Sequence, residues 1–295
     1  MTATETGATG TGVPKFRIEG LAFGYGDAIV QHDVSFDVDD KSIFAIMGGS
    51  GCGKSTLMKT MIGLLEPMAG SIHVDDEDYW RATEERRAEI GRRFGVVFQS
   101  GALWSSMTAE DNVALPLRMF TRLNDAMIKD LARLKLSLVG LDMAPSTMPS
   151  ELSGGMRRRV GIARALSLDP GVLFLDEPSA GLDPIAAKRL DDLIVELRNG
   201  FGVTVIMVSH ELPSLLGICD DGIFLDAESK TVIARGSPKS MLEDKQHPVV
   251  RAFMHRERLA PEPHHRSIGD GNRYIHHCWR FRPWRARTRR GLAHP

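Results

Sequence analysis

The sequence has few cysteines and lacks any long apolar run. Its 295 residues contain three cysteines, Cys52, Cys219 and Cys278, which are scattered and show no C-x-x-C spacing. This pattern indicates neither a disulfide framework nor a zinc site, and it is typical of a protein in a reducing cytosol. The longest apolar runs, such as residues 203–208, are far shorter than the roughly 20 residues that cross a bilayer. Any membrane role is therefore expected to depend on a partner.

The N-terminus lacks the features of a secretion signal, and the net charge is close to zero. Residues 1–14 are rich in Thr and Gly, with no basic start and no apolar stretch, so they are predicted to be a disordered leader. The formal net charge of -1 hides a basic segment, because residues 255–295 contain ten arginines, no lysine and three acidic residues. This segment is predicted to be a separate, disordered tail. The alternatives are an arm that contacts anionic lipid or a partner, and a mispredicted extension.

Four short apolar runs have the pattern of strands buried on both faces. With 42% apolar and 25% charged residues, the composition is that of one large globular domain with a subdomain. The runs lie at 43–47, 94–98, 172–175 and 203–208, and continuous apolar runs favour a parallel sheet covered by helices. Each run is followed by polar or glycine residues. Because ligands of such sheets bind at the carboxyl ends of the strands, we expect these residues to form one site.

Other segments predict the remaining architecture of an α/β protein. Val34, Phe36 and Val38 alternate with polar residues, as in a strand with one wet face. A hairpin is predicted at 223–235. The segment of about 100–165 has helix-compatible stretches, including 127–141, and is predicted to be a helical insert between the second and third buried strands.

The segment GGSGCGKS after the first run matches the phosphate-binding pattern G-x-x-x-x-G-K-[ST]. It lies between a predicted strand and a predicted helix, which is the context that this loop requires. Its glycines allow backbone N–H groups to surround phosphates, the helix dipole favours the anion, and the Lys side chain adds a point charge to the β and γ phosphates. The residues predicted to bind nucleotide are Gly48, Gly49, Ser50, Gly51, Cys52, Gly53, Lys54, Ser55 and Thr56.

The other strand ends supply acids and polar groups for the same site. Asp176 and Ser55 are predicted to hold Mg²⁺, and Glu177 to orient or deprotonate an attacking water. Gln99 and His210 follow neighbouring strands and are predicted to position the γ-phosphate, the metal and the water.

A second glycine motif, ELSGGMRRR at 151–159, precedes another predicted helix. Ser153 has the position of an N-cap, and Gly154 and Gly155 leave amides unhindered at the positive end of that helix. The motif is either a second anion site or a plain N-cap. Two copies of the chain packed head to tail would place each motif against the other copy's phosphate loop. The three arginines that follow are predicted to lie on a solvated helix face.

The ordered set GGSGCGKS, Gln99, LSGGM, VLFLDEP, SAGLD and VSH resembles the ATPase subunit of an ABC transporter. The resemblance covers about residues 15–256 and implies an ABC ATPase domain at 15–254. The implied fold is that of a P-loop NTPase, a parallel-sheet RecA-like core with an N-terminal antiparallel β subdomain and an inserted α-helical subdomain. It also implies that Tyr25 stacks on adenine, that Gln99 couples to a membrane partner, that Asp183 contacts the second subunit and that His210 contacts the γ-phosphate.

A narrower resemblance concerns the insert and its flanks. FGVVFQSGALWSSMTAEDNVALPLR, MPSELSGGMRRRVGIARAL and VIMVSHELPSLLGICD resemble the ATPases of the Mla and Mce lipid transport systems. Met156 stands where most ABC ATPases have Gln, which is usual in that subfamily, whereas Lys41 departs from the glycine of many relatives at a turn. The resemblance implies ATP and Mg²⁺ as ligands, a permease and an Mce-domain protein as partners, no nucleic acid, and a place on the cytoplasmic face of the inner membrane.

Two other functions share parts of the same pattern. An ABC ATPase that imports a polar solute, such as an amino acid or a metal, would have all of these catalytic residues. An ABC ATPase of DNA repair would have long heptad coiled coils between Lys54 and Ser153, and the sequence has no sustained heptads there.

Overall fold

The computed structural model describes residues 13–99, 101–142 and 145–256. The predicted leader and tail therefore lie outside the described residues, apart from two residues of each. The strands are β1 Phe16–Tyr25, β2 Ala28–Val38, β3 Ile43–Gly48, β4 Ala69–Val74, β5 Glu77–Asp78, β6 Phe94–Val97, β7 Val172–Asp176, β8 Thr204–Val208, β9 Asp221–Leu225 and β10 Val232–Arg235. The helices are α1 Lys54–Met61, α2 Glu84–Gly91, α3 Ala109–Phe120, α4 Asp125–Leu138, α5 Gly154–Ala165, α6 Pro184–Phe201, α7 Leu212–Ile218, α8 Pro238–Met241 and α9 Pro248–His255.

A six-stranded sheet in the order β10-β9-β3-β8-β7-β6 forms the centre of the protein. The four predicted strands are confirmed as β3, β6, β7 and β8, which pair in parallel. The strand β6 differs from the prediction in being only half-buried on one face, because it is the edge strand of the sheet. The hairpin predicted at 223–235 is confirmed as β9 and β10, but the prediction was incomplete. β9 also pairs in parallel with β3, with Ile46 opposite Ile223, and is a fifth parallel strand.

The N-terminal strands form a second, antiparallel sheet in the order β2-β1-β4-β5. Val34, Phe36 and Val38 are buried while Ser35 is exposed, which confirms the predicted wet face of β2. Phe16 of this sheet lies 5.7 Å from Phe174 of the central sheet, ring centre to ring centre, in an edge-to-face contact. These apolar contacts join the two sheets in one core and confirm the α/β fold class predicted from the sequence.

Helices α3, α4 and α5 pack on one another in the segment between β6 and β7. Each begins at a polar N-cap, Thr108, Asn124 and Ser153 respectively, whose side chain accepts a hydrogen bond from the first turn. Their apolar faces share a core that contains Val113, Leu136 and other residues. Within the described ranges, every helix is too short or too polar to cross a membrane.

Candidate active site

The carboxyl ends of four neighbouring strands carry the predicted site residues. The strands β3, β8, β7 and β6 are adjacent in the sheet and run in the same direction. The residues at their ends therefore lie along one edge of the sheet: the phosphate loop after β3, His210 after β8, Asp176 and Glu177 at β7, and Gln99 after β6.

The phosphate loop has a backbone that only glycine fits at two points. Gly48 and Gly53 have φ angles of 144° and 99°. A Cβ atom on Gly48 would lie 2.4 Å from the carbonyl oxygen of Leu225, and one on Gly53 would lie 2.6 Å from Cγ1 of Val30. In contrast, nothing lies within 4 Å of a Cβ built on Gly49, so the outer side of the loop is open. This shape leaves room for a phosphate beside the backbone amides.

Lys54 lies within this loop. Its Nζ donates hydrogen bonds to the carbonyl oxygens of Gly48 and Gly49, at 2.9 and 2.8 Å. Cys52 is buried, and burial raises the pKa of its thiol although the charge of Lys54 opposes that rise. A buried neutral thiol is a packing group rather than a nucleophile. Ser50 and Ser55 are exposed, and Thr56 is half-buried.

Gln31 is a contact of the phosphate loop that the sequence analysis missed. Its side chain is fully buried, and its Nε2 donates to the carbonyl oxygens of Cys52 and Asp226, both at 2.7 Å. The amide thus connects the loop to the end of β9. The sequence offers no clear signal for it, because Gln31 is out of phase with the alternation of Val34, Phe36 and Val38 in β2.

Asp176 and Ser55 are brought together across the sheet edge. The Ser55 hydroxyl donates to Oδ1 of Asp176 at 3.4 Å. Burial raises the pKa of the Asp176 carboxyl, the neighbouring charge of Glu177 raises it further, and Ser55, Lys59 and Lys54 oppose the rise. A hydroxyl and a carboxylate are the oxygen ligands that Mg²⁺ takes in proteins. Among the described residues, no group of three or more His, Cys, Asp or Glu could hold a metal ion.

Glu177 and His210 are in direct contact. Oε1 of Glu177 lies 2.8 Å from Nδ1 of His210, and Oε2 is buried with no hydrogen-bond partner among the residues that the structure describes. Glu177 also has a φ angle of 50°, in the left-handed region that non-glycine residues seldom adopt. Such strain persists only where surrounding contacts impose it and is concentrated at functional sites. One carboxylate oxygen of Glu177 is thus left without a partner among the described residues.

Three other residues that were predicted to belong to the site lie at its exposed periphery. Tyr25 is 51% exposed at the end of β1, a strand that reaches the phosphate loop through Phe23 beside Gly53. Gln99 is exposed two residues beyond β6. Asp183 is exposed and caps α6, where its Oδ1 accepts hydrogen bonds at 3.0 Å from two backbone amides of the first turn.

The second glycine motif begins α5 as predicted. Oγ of Ser153 accepts a hydrogen bond from the backbone N–H of Met156 at 3.2 Å, which confirms the N-cap. Nothing lies within 4 Å of a Cβ built on Gly154, and one built on Gly155 would be 3.8 Å from Leu182. The helix start is therefore an exposed, positive end that remains accessible to an anion or to another chain.

The prediction that the three following arginines lie on a solvated helix face was wrong. Arg157 donates to the carbonyl oxygen of Leu152 at 2.5 Å, Arg158 donates to that of Ala180, and Arg159 donates to that of Val139 at 3.2 Å. The accepting carbonyl groups lie in loops around α5, where no neighbouring strand or helix turn supplies a donor. The arginine side chains donate the hydrogen bonds that these carbonyl oxygens need. Burial lowers the pKa of Arg158, and the charge of Glu177 opposes that change, so Arg158 is also near the candidate site.

We expect Arg158→Ala to lower the free energy of unfolding by about 1.5–3 kcal/mol, because a hydrogen bond from a charged donor is lost and a loop carbonyl is left unpaired. Urea denaturation of the variant measures this change. Arg81→Ala is the matched control, since the Arg81 side chain is 89% exposed and its removal is expected to change stability by less than about 0.5 kcal/mol. An equal effect of the two variants would contradict a role for the Arg158 contact.

Comparisons with known proteins agree with this geometry. A family described as ABC transporter matches residues 31–180. The intermembrane phospholipid transport system ATP-binding protein MlaF of Haemophilus influenzae is 40% identical over 234 residues, which are 79% of this chain and 88% of that protein. The probable ribonucleotide transport ATP-binding protein mkl of Mycobacterium leprae is 37% identical over 244 residues, which are 83% of this chain and 70% of that protein.

Solved structures with the same fold include two ATP-binding cassettes. The protein cbiO1 of Clostridium perfringens, described as part of the ABC transporter complex cbiONQ, has a TM-score of 0.71 and 28% identity, and the match covers 79% of this chain and 92% of that chain. The cassette MJ0796, solved as a dimer bound to ADP and Pi, has a TM-score of 0.68 and 26% identity and covers 75% and 98%. With the phosphate loop, the acid pair and the second glycine motif in place, the chain belongs to the family of ABC transporter ATP-binding domains.

Proposed function

We propose that this chain is the ATP-hydrolysing subunit of a transporter that moves phospholipid, and that two copies act head to tail to drive a membrane permease. The observation that carries the phospholipid assignment is the similarity to MlaF, which extends over most of both chains. The dimeric arrangement is supported by the exposed N-terminus of α5 and by the dimeric structure of a similar cassette.

The phosphates of ATP bind at the loop between β3 and α1. The open side of the loop at Gly49 accommodates them, and the amides and the α1 dipole favour their negative charge. Lys54 now bonds to carbonyl groups of its own loop and exchanges these weak acceptors for phosphate oxygens. The exposed Tyr25 supplies an aromatic face for adenine.

The oxygens of Ser55 and Asp176 fit a magnesium site. They already face each other at 3.4 Å, and the desolvation that raises the pKa of Asp176 is the kind of penalty that a cation relieves. Mg²⁺ held here with ATP would neutralise charge on the phosphates. Gln99, shortly after the adjacent strand β6, is the third metal ligand and begins the segment that contacts the permease.

Glu177 positions the attacking water and accepts its proton. Its Oε1 is engaged by His210, which fixes the carboxylate, while Oε2, buried and without a partner among the described residues, is the oxygen that accepts a hydrogen bond from the water. His210 is half-exposed and contacts the γ-phosphate with its remaining surface. In the hydrolytic step the water oxygen bonds to the γ-phosphorus, the bond between that phosphorus and the β-phosphate oxygen breaks, and ADP leaves. The proton of the water passes to the Glu177 carboxylate, which the neighbouring imidazole orients.

The second copy completes each site. Ser153, Gly154 and Gly155 present the positive end of α5 to the γ-phosphate on the partner's loop. Asp183 lies in the exposed loop before α6 and contacts the partner copy. ATP therefore binds the two copies together, and hydrolysis releases them. The remaining subunits are a permease and an Mce-domain substrate-binding protein, with this chain on the cytoplasmic face of the inner membrane.

Transport of a polar solute is the second candidate, because the similarity to mkl proteins supports a ribonucleotide as the cargo. Both candidates use the same ATPase residues. The cargo contacts the permease, so the two are separated only by transport assays on the complete complex.

We expect the complex purified through this chain and reconstituted in phospholipid vesicles to move a fluorescent phospholipid between vesicles or leaflets when ATP is added. The same vesicles are tested for uptake of a radiolabelled ribonucleotide. A complex that carries Glu177→Gln is the matched control and is expected to lose the ATP-dependent movement. Ribonucleotide uptake without phospholipid movement would contradict the phospholipid assignment and support the second candidate.

A further inference from the structure

A buried polar chain lies behind the candidate active site and has no place in the proposed catalytic steps. Asp191 of α6 is 5% exposed, and its Oδ2 accepts a hydrogen bond from the hydroxyl of Ser214 in α7 at 2.9 Å. The hydroxyls of Ser214 and Ser179 lie 3.4 Å apart, and both residues are buried. The chain therefore joins α6, α7 and the loop after β7.

The direction of these hydrogen bonds follows from their chemistry. An ionised carboxylate only accepts hydrogen bonds, so Ser214 uses its single hydroxyl proton on Asp191. Ser214 must then accept the proton of Ser179. Asp191 thus orients two hydroxyls in sequence, and the three groups act as a unit rather than as separate contacts.

The unit connects the two segments that carry the catalytic pair. Ser179 is two residues beyond Glu177, and Ser214 is four residues beyond His210. Glu177 and His210 are themselves only 2.8 Å apart, so a small shift of either segment would change their contact. The helix α6, which carries Asp191, begins directly after its N-cap Asp183, in the exposed loop that precedes the helix.

The burial of Asp191 at this position is unfavourable for the stability of the folded protein. Its Oδ1 is buried without a hydrogen-bond partner among the described residues, and burial raises the pKa of its carboxyl. The charged groups near it are Lys188 and Asp192 on its own helix, and Glu211 and Arg256, which line the same cleft of about 450 Å³. If this position only packed the core, an apolar side chain there would stabilise the protein more than an aspartate does.

We infer that Asp191 is a positioning residue of the ATPase, which acts through Ser214 and Ser179 to hold the Glu177 and His210 segments in register. The inference rests on the proposed roles of Glu177 and His210. In this role, α6 couples the position of the loop at Asp183, where the second copy binds, to the distance between Glu177 and His210.

Steady-state ATP hydrolysis by the full-length protein tests this role. Ser179→Ala, Ser214→Ala and Asp191→Ala are each expected to lower kcat about 10- to 100-fold, because misplacement of catalytic groups by about 1 Å costs up to that factor. The KM for ATP is expected to change less than about twofold, since the phosphate loop is untouched. Asp191→Asn keeps an oxygen that accepts from Ser214 and is expected to recover most of kcat.

Two further variants make the test specific. Asp192→Ala is the matched control, because Asp192 is the exposed neighbour on α6, with 54% of its side chain accessible, and it is expected to keep the wild-type kcat. The double variant Ser179→Ala/Ser214→Ala is expected to be no slower than the slower single variant, as for groups that act as a unit. Ser179→Ala leaves the Ser214 to Asp191 bond intact, so it provides a folded variant even if the others unfold.

The inference is overturned if Ser179→Ala retains kcat within about twofold of wild type, or if Asp191→Asn falls as far as Asp191→Ala. A separate assay of Glu177→Gln distinguishes this failure from failure of the proposed function. If Glu177→Gln is inactive while Ser179→Ala is fully active, only the positioning role is wrong. If Glu177→Gln is fully active, the catalytic assignment itself is wrong.

Discussion

Glu177→Gln is expected to slow ATP hydrolysis by about 10²- to 10⁴-fold and to leave ATP binding intact, because a positioned general base contributes about that factor. Glutamine has nearly the shape of glutamate but cannot take a proton from water. The groups that bind the phosphates lie on another strand end, after β3, so the affinity for ATP is retained. Phosphate release at saturating ATP and equilibrium binding of ATP measure the two effects.

The same variant is expected to accumulate as a dimer with ATP, since hydrolysis is the step that separates the copies. Size-exclusion chromatography with light scattering detects this species. Glu196→Gln, an exposed site on α6, is the matched control and is expected to hydrolyse ATP at the wild-type rate. If Glu177→Gln hydrolyses ATP near the wild-type rate, Glu177 is not the catalytic carboxylate.

Ser153→Arg is expected to reduce hydrolysis by at least about 100-fold while isolated monomers still bind ATP, because geometry between catalytic groups is lost when the copies cannot close. Ser153 is exposed at the start of α5, and nothing lies within 4 Å of a Cβ built on Gly154 beside it. An arginine there places bulk between the copies. Nucleotide binding by isolated monomers measures the retained affinity for ATP. Phosphate release by the unfractionated variant protein measures the loss of hydrolysis.

Two controls separate bulk from loss of the helix cap. Ser153→Ala removes only the hydrogen bond to Met156, which costs about 1 kcal/mol of stability, and is expected to reduce hydrolysis far less than the arginine does. Thr83→Arg changes an exposed N-cap of α2 and is expected to leave hydrolysis unchanged. Loss of ATP binding by Ser153→Arg monomers would instead mean that the motif serves its own chain.

Local patterns in the sequence were sufficient to predict the strands and the phosphate loop. Continuous apolar runs identify the strands of the parallel sheet, and β3, β6, β7 and β8 follow these runs closely, although one face of β6 is only half-buried. The loop at 48–55 has glycines where the backbone needs them, so its conformation is encoded within eight residues. The N-cap at Ser153 is equally local. The meeting of Ser55 with Asp176, and of Glu177 with His210, follows once parallel strands are adjacent.

Contacts between distant segments could not be predicted in this way, because no local pattern records them. The pairing of β9 with β3 is supported by Asp220, whose side chain accepts from the Ile43 amide at 2.8 Å across 177 residues. Gln31 reaches both the phosphate loop and the end of β9, and the arginines of α5 bond to carbonyl groups of three separate loops.

The sequence by itself therefore determined the family, the α/β class and the identity of the residues at the strand ends. Only the tertiary structure decided which buried polar groups pair with one another. The physical reason is that periodicity reports which face of an element is buried, whereas a hydrogen bond such as that from Ser214 to Asp191 depends on how two helices pack, and its partners are 23 positions apart in the sequence.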